Sequence, residues 1–230
     1  PAFEGGGTKW GMRATSGAIE KVEINNGQVT YQTINNGKPR GICGSGFIDC
    51  IYELARNHII SQDGKFDLSL SNPRISIENN IPQYILAFPD ETEAEQAITI
   101  TEIDIDNLIK SKGAVFAAVK SLIDYVGLKF TQLDIIYLAG GFGSSLDIRK
   151  AIAIGLLPDI DTRRIRFIGN SSVMGARMTL LSSRALEATR SIAQRMTNIE
   201  LSTYVPFMNE FIAALFLPHT DNRLFPSIHY

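Results

Sequence analysis

A pair of adjacent glycines follows an apolar run near residue 140. Residues 133–139 read LDIIYLA, which predicts a strand, and directly after them come Gly140, Gly141, Phe142 and Gly143. Because glycine has no Cβ, a ribose or a phosphate can approach the main chain closely at such a position. Ligands of open α/β sheets usually bind at the carboxyl ends of strands, where this segment is expected to lie. The pattern favours a ligand site and an ordinary strand-to-helix turn about equally, and it matches neither the dinucleotide fingerprint nor the P-loop.

A second cluster, Gly44, Ser45 and Gly46, opens a predicted helix whose apolar residues recur at helical spacing. Its glycines allow close approach, and Ser45 would either cap the helix or bind a phosphate oxygen. Taken alone, this cluster favours the structural role. The helix predicted for SLDIRKAIAIG, after the first glycine pair, would offer free N–H groups and the positive end of its dipole to an anion.

Lys112 and Gly113 interrupt the strongest predicted helix, TEIDIDNLIKSKGAVFAAVKSLIDYVG. Glycine costs about 1 kcal/mol relative to alanine in a helix interior, so its presence there needs a reason. A flat ligand lying against the helix and a close contact with another helix explain it equally well. The helix is predicted to begin at a cap formed by Asp104 or Asp106 and to end at Gly127.

Other kinds of catalytic or metal site find little support in the sequence. Neither a Ser–His–Asp order nor a G-x-S-x-G elbow is present. The acidic loop 90–95 is typical of a solvated surface. The three histidines lack the spacing of metal ligands. They are His58, His219 and His229.

The composition is that of an ordinary soluble globular protein. The chain has 230 residues, 44% of them hydrophobic and 20% charged, with a net charge of −2. This balance provides no basic field for nucleic acid or anionic lipid, and no apolar run approaches the roughly 18 residues of a membrane span. Cys43 and Cys50 lie too far apart along one helix for a disulfide and are too few for an ordinary iron–sulfur cluster. We therefore expect a reducing, cytoplasmic location, with neither nucleic acid nor membrane as a partner.

The order of predicted elements indicates an α/β fold with a mixed sheet. An antiparallel hairpin is predicted around the turn signal NNG within residues 8–33, before the helix that begins near Gly44. Three short strands, RISIEN, QYILAF and AITIT, precede the long helix, and 133–139 is predicted as a strand buried on both faces. A last helix is predicted to start at Pro206. No boundary divides the chain, and its start, PAFEGG, predicts a fragment of a longer protein.

Several motifs, taken in order, resemble one known family. They are PAFEGG, GMRATSGAIEKV, GICGSGFIDCIYEL, LIKSKGAVFAAVKSL, LAGGFGSSLDIRKAIAIGLLP and FIGNSSVMGARMTLLS. Together they resemble the carboxy-terminal part of the reductive activators of corrinoid proteins, which belong to the actin, sugar-kinase and heat-shock-ATPase superfamily. The resemblance runs from Pro1 to about Pro218. It implies an actin-like ATPase lobe of the ribonuclease-H-like type, with a mixed sheet flanked by helices.

The resemblance also implies a nucleotide cleft between two actin-like lobes. In that cleft, Gly140 and Gly141 would lie beside the ribose and the α-phosphate, and Phe142 and Gly143 would flank them. Lys112 would cover the adenine with its aliphatic stem, as amphipathic lysines can. This chain would then supply the adenosine-side wall of the cleft and a surface for partner docking.

Both phosphate loops of the superfamily, of the type Asp-x-Gly-Thr/Ser, are missing from this sequence. The family places them upstream of PAFEGG, together with a ferredoxin-like domain that carries an iron–sulfur cluster. ATP with Mg²⁺ and a [2Fe–2S] cluster are therefore expected in the complete protein, with the cluster outside residues 1–230. We expect this chain alone to hydrolyse ATP poorly.

The activity implied by the resemblance is the ATP-dependent return of an inactive Co(II) corrinoid to Co(I) in a methyltransferase system. The expected partner is the corrinoid protein, and a homodimer is the expected assembly. O-demethylation, methylamine use and acetyl-CoA synthesis all fit. One alternative is a docking and dimerisation domain that keeps the actin-like fold without a nucleotide. Another is a kinase or chaperone ATPase of the same superfamily, which is weakened because no obvious sugar-binding or peptide-binding segment is present.

Overall fold

The computed structural model describes residues 5–140 and 146–229. Within these ranges the strands are β1 (Ala18–Asn25), β2 (Gln28–Thr33), β3 (Gly41–Ile42), β4 (Ile75–Glu78), β5 (Ile81–Ala87), β6 (Ile98–Thr101), β7 (Ile136–Leu138) and β8 (Ile165–Phe167). The α-helices are α1 (Gly44–Arg56), α2 (Glu102–Tyr125), α3 (Ile148–Ala153), α4 (Ser171–Leu181), α5 (Ser183–Arg195) and α6 (Val205–Ala213). The last helix carries Pro206 in its first turn, as predicted.

The described strands form three small sheets. In the first, β1 pairs with β2 antiparallel and with β3 parallel. The second is the antiparallel sheet β4-β5-β6, and the third is the parallel pair β7-β8. The turn between β1 and β2 contains Asn26 and Gly27 with φ angles of 51° and 77°, the left-handed pair that a tight hairpin requires. The predicted hairpin and the mixed α/β class are confirmed, although the first strand begins only at Ala18.

Helix α1 forms the centre of the main core together with β1. One of its faces is apolar at helical spacing, and this face packs on the strand. Burying a large apolar side chain of this kind stabilises a fold by about 1.5–3 kcal/mol. The fully buried side chains that define this face are Phe47, Ile48, Ile51 and Leu54.

Helix α2 begins one turn earlier than predicted. Its cap is Thr101, whose hydroxyl accepts a hydrogen bond from the Asp104 amide at 3.1 Å. The Asp104 carboxylate in turn accepts from the Thr101 amide at 2.9 Å, which completes a reciprocal capping box. The predicted cap at Asp104 or Asp106 is therefore wrong. The predicted end is confirmed, because Gly127 follows the last turn with a φ of 70°.

Strand β7 is less buried than its apolar sequence predicts. Within the described ranges only β8 pairs with it, and Tyr137 is 57% exposed. The prediction of burial on both faces is wrong for this part of the chain, because no other described element covers the outer face. No helix of the described residues is both long enough and apolar enough to cross a membrane.

Candidate functional site

The carboxyl ends of β7 and β8 remain paired beyond the two strands. The Ile168 amide donates to the Leu138 carbonyl at 3.0 Å, and the Gly140 amide donates to the Gly169 carbonyl at 2.8 Å. Both glycines have positive φ angles, 112° at Gly140 and 66° at Gly169. Side chains rarely adopt this backbone conformation, so the bend at the sheet edge depends on glycine.

The main chain at this edge is open on the side where side chains would stand. A Cβ added to Gly140 or to Gly169 would meet no described atom within 4 Å. A ligand can therefore approach the backbone here, as the sequence predicts for a strand end that carries glycine. Gly141, Phe142 and Gly143 lie outside the described residues, and their assignment to the ligand stays a prediction.

Helix α3 does not offer the free N–H groups that the sequence predicts for an anion. The helix has only six residues, and Asp147 caps it. The Asp147 carboxylate accepts hydrogen bonds from the amides of Arg149 and Lys150 at 2.9 and 3.2 Å. Because a carboxylate already occupies this terminus, the prediction of an anion site at the start of α3 is wrong.

A partly buried lysine, Lys150, anchors α3 to the first sheet and to α1. The ammonium of Lys150 donates to the Asp49 carboxylate at 2.8 Å and to the Val22 carbonyl at 2.9 Å. A second carboxylate oxygen, from Glu53, lies 3.4 Å from the same nitrogen. Asp49 also accepts from the Val22 amide at 3.1 Å. These contacts fix the short helix that follows the glycine segment.

The electrostatics of this group follow from its burial. Burial raises the pKa of Asp49, and the hydrogen bond and charge of Lys150 oppose that rise. Burial alone would lower the pKa of Lys150, but its hydrogen bond to Asp49 and the attraction of Asp49 and Glu53 raise that pKa overall. Sequence reasoning missed this cluster. Its signal was the spacing of Asp49, Glu53 and Arg56, which places three charged residues on one side of a helix that is otherwise buried.

The cluster Gly44, Ser45 and Gly46 lies in the interior at the start of α1. A Cβ on Gly46 would stand 2.2 Å from the Ile19 carbonyl oxygen, so only glycine lets the helix approach β1 this closely. The Ser45 hydroxyl lies 3.4 Å from the Cys43 sulfur. The packing role that the sequence favoured is thereby supported, and a phosphate contact by these residues stays a prediction.

Lys112 is fully buried and its amine is bound by main-chain carbonyls. Its nitrogen donates to the carbonyls of Phe216 and Pro218 at 2.5 and 2.7 Å. Burial lowers the pKa of Lys112 from 10.5 to about 7. The neighbouring Gly113 faces the Ala214 carbonyl oxygen, which an added Cβ would meet at 3.1 Å. The close helix contact, one of the two explanations offered for this glycine, is therefore present, while a contact between Lys112 and adenine stays a prediction.

The predicted site residues therefore occupy three different environments. Gly140 lies at an open sheet edge, the Gly44 cluster in the core beneath β1, and Lys112 under the turn after α6. No hydrogen bond joins one of these groups to another within 5–140 and 146–229. No group of three or more metal-ligating side chains occurs in the same ranges. Of the three environments, only the edge at Gly140 exposes main chain to a ligand.

Comparison with known proteins decides which family has this architecture. A family model described as "C-terminal domain of RACo the ASKHA domain" matches residues 1–229. The chain belongs to this family. The RACo domain is therefore an ASKHA, or actin-like ATPase, domain, which confirms both the resemblance and the fold class given by the sequence motifs.

Two curated relatives and one solved structure are similar to this chain. It is 35% identical over 219 residues to the corrinoid activation enzyme RamQ of Eubacterium limosum, a match that covers 92% of this chain and 37% of the relative. It is 31% identical over 120 residues to a [Co(II) methylated amine-specific corrinoid protein] reductase of Methanosarcina barkeri, covering 51% of this chain and 22% of the relative. A solved reductive activator for corrinoid,iron-sulfur protein superimposes with a TM-score of 0.93 at 47% identity, over 99% of this chain and 37% of that one. The matches thus span between 22% and 37% of the lengths of these three proteins.

Proposed function

We propose that this chain is the carboxy-terminal, adenosine-side part of an ATP-dependent reductive activator that returns the Co(II) corrinoid of a methyltransferase system to Co(I). The relatives support this proposal, because one is named a corrinoid activation enzyme and another a reductase of a Co(II) corrinoid protein. Since the chain spans only part of each relative, the activity belongs to the complete protein. The proposed partner is a corrinoid protein, the proposed assembly a homodimer, and the proposed location the cytoplasm.

The observation that carries the proposal is the open main chain at Gly140. Two positive-φ glycines joined across the strand ends, with no described atom where their side chains would be, fit the close approach of a nucleoside. Cys43 and Cys50 do not fit a [2Fe–2S] cluster, because both are buried thiols and such a cluster takes four ligands. The cluster is therefore assigned to the remainder of the complete protein, and so are the Mg²⁺ ligands, because this sequence lacks the Asp-x-Gly-Thr/Ser loops.

Each part of this chain then has a limited role. The backbone at Gly140 binds the nucleoside, and Lys150 and Asp49 hold α3, the next helix along the chain, against α1 and β1. ATP supplies the free energy for a conformational change, which it drives only to the extent that it binds one state more tightly than the other. The electron that converts Co(II) to Co(I) comes from a donor outside residues 1–230.

Replacing Gly140 by alanine in the complete protein tests the proposal. The matched control is Gly127→Ala, because Gly127 has a φ of 70° and equally open space around its missing Cβ, but lies at the end of α2. Gly127→Ala carries the strain of a side chain in the left-handed region, about 1–2 kcal/mol. Gly140→Ala carries at least as much, because a φ of 112° lies beyond that region. Only Gly140→Ala places a methyl group in the proposed nucleoside site, so we expect it to weaken binding of a non-hydrolysable ATP analogue at least about tenfold.

Calorimetric titration of the two variants and the wild type measures this difference. Equal affinities of Gly140→Ala and Gly127→Ala would remove the support for a nucleoside at this edge.

The alternative of a docking and dimerisation domain without nucleotide is favoured by one observation, the exposed apolar residues of α4 and α5. That alternative predicts that the wild-type complete protein shows no heat of nucleotide binding at all.

A further inference from the structure

Residues 5–12 fold back on themselves, and we call this segment the strap. Its first bend is Gly5, which has a φ of 85°, and a Cβ added there would stand 2.6 Å from the Met12 amide nitrogen. A Cβ added to Gly11 would overlap the Gly5 carbonyl oxygen. The two ends of the strap therefore touch, and they can do so only because both residues are glycine.

The second half of the strap is bonded to the first sheet. The Ile42 amide donates to the Trp10 carbonyl at 2.8 Å, and the Met12 amide donates to the Ile42 carbonyl at 2.9 Å. Ile42 also pairs with Ile19 of β1, so it lies between that strand and the strap. Helix α1 begins at Gly44, two residues after Ile42. This half of the strap is therefore fixed to the sheet on which α1 packs.

The first half of the strap is bonded to the second sheet and to the start of α2. The Lys9 amide donates to the Asp104 carboxylate at 2.9 Å, and the Asn107 side chain donates to the Gly7 carbonyl at 3.0 Å. The Lys9 ammonium donates to the Glu78 carboxylate of β4 at 2.6 Å. The strap thus joins both sheets to the first two turns of a 24-residue helix.

Asp104 is the contact that the strap and the cap of α2 share. The residue is buried, with 2% of its surface exposed. One carboxylate oxygen accepts from the amide and the hydroxyl of Thr101 at 2.9 and 2.7 Å, which closes the capping box. The other oxygen accepts from the Lys9 amide, its only donor among residues 5–140 and 146–229. Because a buried carboxylate that loses a donor is destabilised, the strap and the start of α2 stabilise each other.

Trp10 shows that the bound position of the strap also has a cost. Its indole N–H is buried, and no atom of the described residues accepts a hydrogen bond from it. Buried donors without an acceptor are rare, because each one loses the hydrogen bonds that it would make to water. Release of the strap would return this N–H to solvent and would break the hydrogen bond between Lys9 and Asp104. Binding and release of the strap are therefore each favoured by a specific contact.

We propose that the strap is a conformational coupling element, which binds and is released together with the start of α2, and that Asp104 transmits the change between them. The matching family model describes a carboxy-terminal domain, and the matches cover 37% of RamQ and 37% of the solved activator. The complete protein therefore has a preceding polypeptide that can act on the strap. Helix α2 also carries Lys112, which binds the turn after α6, so a movement at residues 5–12 has a bonded route to that turn. The inference is independent of nucleotide binding at Gly140.

Hydrogen–deuterium exchange of the complete protein measures both ends of this coupling in one experiment. Coupling is reciprocal, because a change at one end must shift the other end by the same free energy. Gly11→Ala opens the strap without touching α2, and Thr101→Ala weakens the cap without touching the strap. We expect each variant to raise amide exchange several-fold in residues 5–12 and also in residues 102–108. Increases confined to the substituted segment would overturn the proposal, and if Gly11→Ala does not fold, Thr101→Ala decides alone.

Ser182→Ala is the matched control for Thr101→Ala. The Ser182 hydroxyl caps α5 by accepting from the Ala185 amide at 3.3 Å, and no hydrogen bond within the described ranges joins it to the strap. This variant should leave exchange in residues 5–12 at the wild-type level. An increase there as large as that of Thr101→Ala would mean that the strap responds to any loss of stability, and the proposal would be rejected.

Asp104→Asn tests the route of the coupling. The side-chain nitrogen of asparagine accepts no hydrogen bond, so this residue cannot serve both Thr101 and Lys9 as the carboxylate does. In the Asp104→Asn background, Thr101→Ala should therefore add no further exchange in residues 5–12. If it adds as much as in the wild-type background, the strap responds through other contacts and the role given to Asp104 is wrong.

Discussion

Lys112→Met tests whether the amine of Lys112 is neutral in the folded protein. The side chain is fully buried, and its nitrogen has two acceptors, the carbonyls of Phe216 and Pro218. A neutral amine has two N–H donors, which match these two carbonyls, whereas an ammonium has three. Methionine keeps most of the apolar stem and removes the titrating group and its hydrogen bonds.

The size of the expected pH effect follows from the lowered pKa of Lys112. Burial lowers the pKa of Lys112 from 10.5 to about 7, so between these pH values the unfolded chain carries a proton that the folded chain does not. Stability rises with pH wherever the unfolded state binds more protons, so the wild type gains stability as the pH rises from about 7 towards 10.5. At about 1.4 kcal/mol per pKa unit, the gain over the full window is at most about 5 kcal/mol.

The assay compares urea unfolding of the wild type and Lys112→Met at several pH values between 6.5 and 9.5. Other titrating groups affect both proteins equally, so the difference in free energy of unfolding isolates Lys112. We expect this difference to increase in favour of the wild type as the pH rises, by about 1 kcal/mol or more per pH unit near pH 8. Lys110→Met is the control, because it makes the same substitution at an exposed position of the same helix.

One result would refute the reasoning. If the free energies of unfolding of wild type and Lys112→Met differ by the same amount at pH 6.5 and at pH 9.5, the amine stays protonated in the folded protein. The two carbonyls would then stabilise an ammonium strongly enough to offset its burial.

Three further predictions concern the Lys150–Asp49 pair, the close contact at Gly155 and the phosphate loops that this sequence lacks. Lys150→Met leaves the Asp49 carboxylate buried without its cation and should cost about 3 kcal/mol in urea unfolding, and adding Asp49→Asn should recover part of that loss. Purely additive losses would contradict a coupled pair. Gly155→Ala, at a φ of 76°, would place a Cβ 2.0 Å from the Pro218 carbonyl oxygen, and we expect a loss of about 3 kcal/mol or more. Thermal denaturation beside Gly127→Ala checks this, and equal losses would argue against the clash. The chain alone should release phosphate from ATP no faster than a buffer blank, and steady-state turnover like that of a complete activator would contradict its expected role.

Local signals predicted the hairpin turn and the end of α2, but not the residue that caps its start. The turn with Asn26 and Gly27 and the helix end at Gly127 depend on backbone angles that glycine and asparagine alone favour, so the sequence carries them directly. The sequence predicts a cap at Asp104 or Asp106 for the start of α2, because aspartate is a common cap. The structure uses Thr101 instead, with Asp104 in the reciprocal position, a pattern that the spacing T-x-x-D carries.

The contacts of the candidate site were only partly predictable. Gly140 was predicted as a ligand contact because a glycine directly after a predicted strand is a local sequence signal. The partners of Lys112 lie 104 and 106 residues away along the chain, and Asp49 lies 101 residues from Lys150. Pairs so distant in sequence are brought together by tertiary packing, which no periodicity or local motif encodes.

The glycines of this chain indicate where its neighbours are complete and where they are not. Gly46, Gly113 and Gly155 each face main-chain atoms closer than 3.2 Å to the missing Cβ, so the chain itself explains them. Gly127 faces open space, but its positive φ at a helix end explains it. Gly175 has neither explanation. It lies in α4, which follows directly on the sheet edge where the Gly140 amide donates to the Gly169 carbonyl.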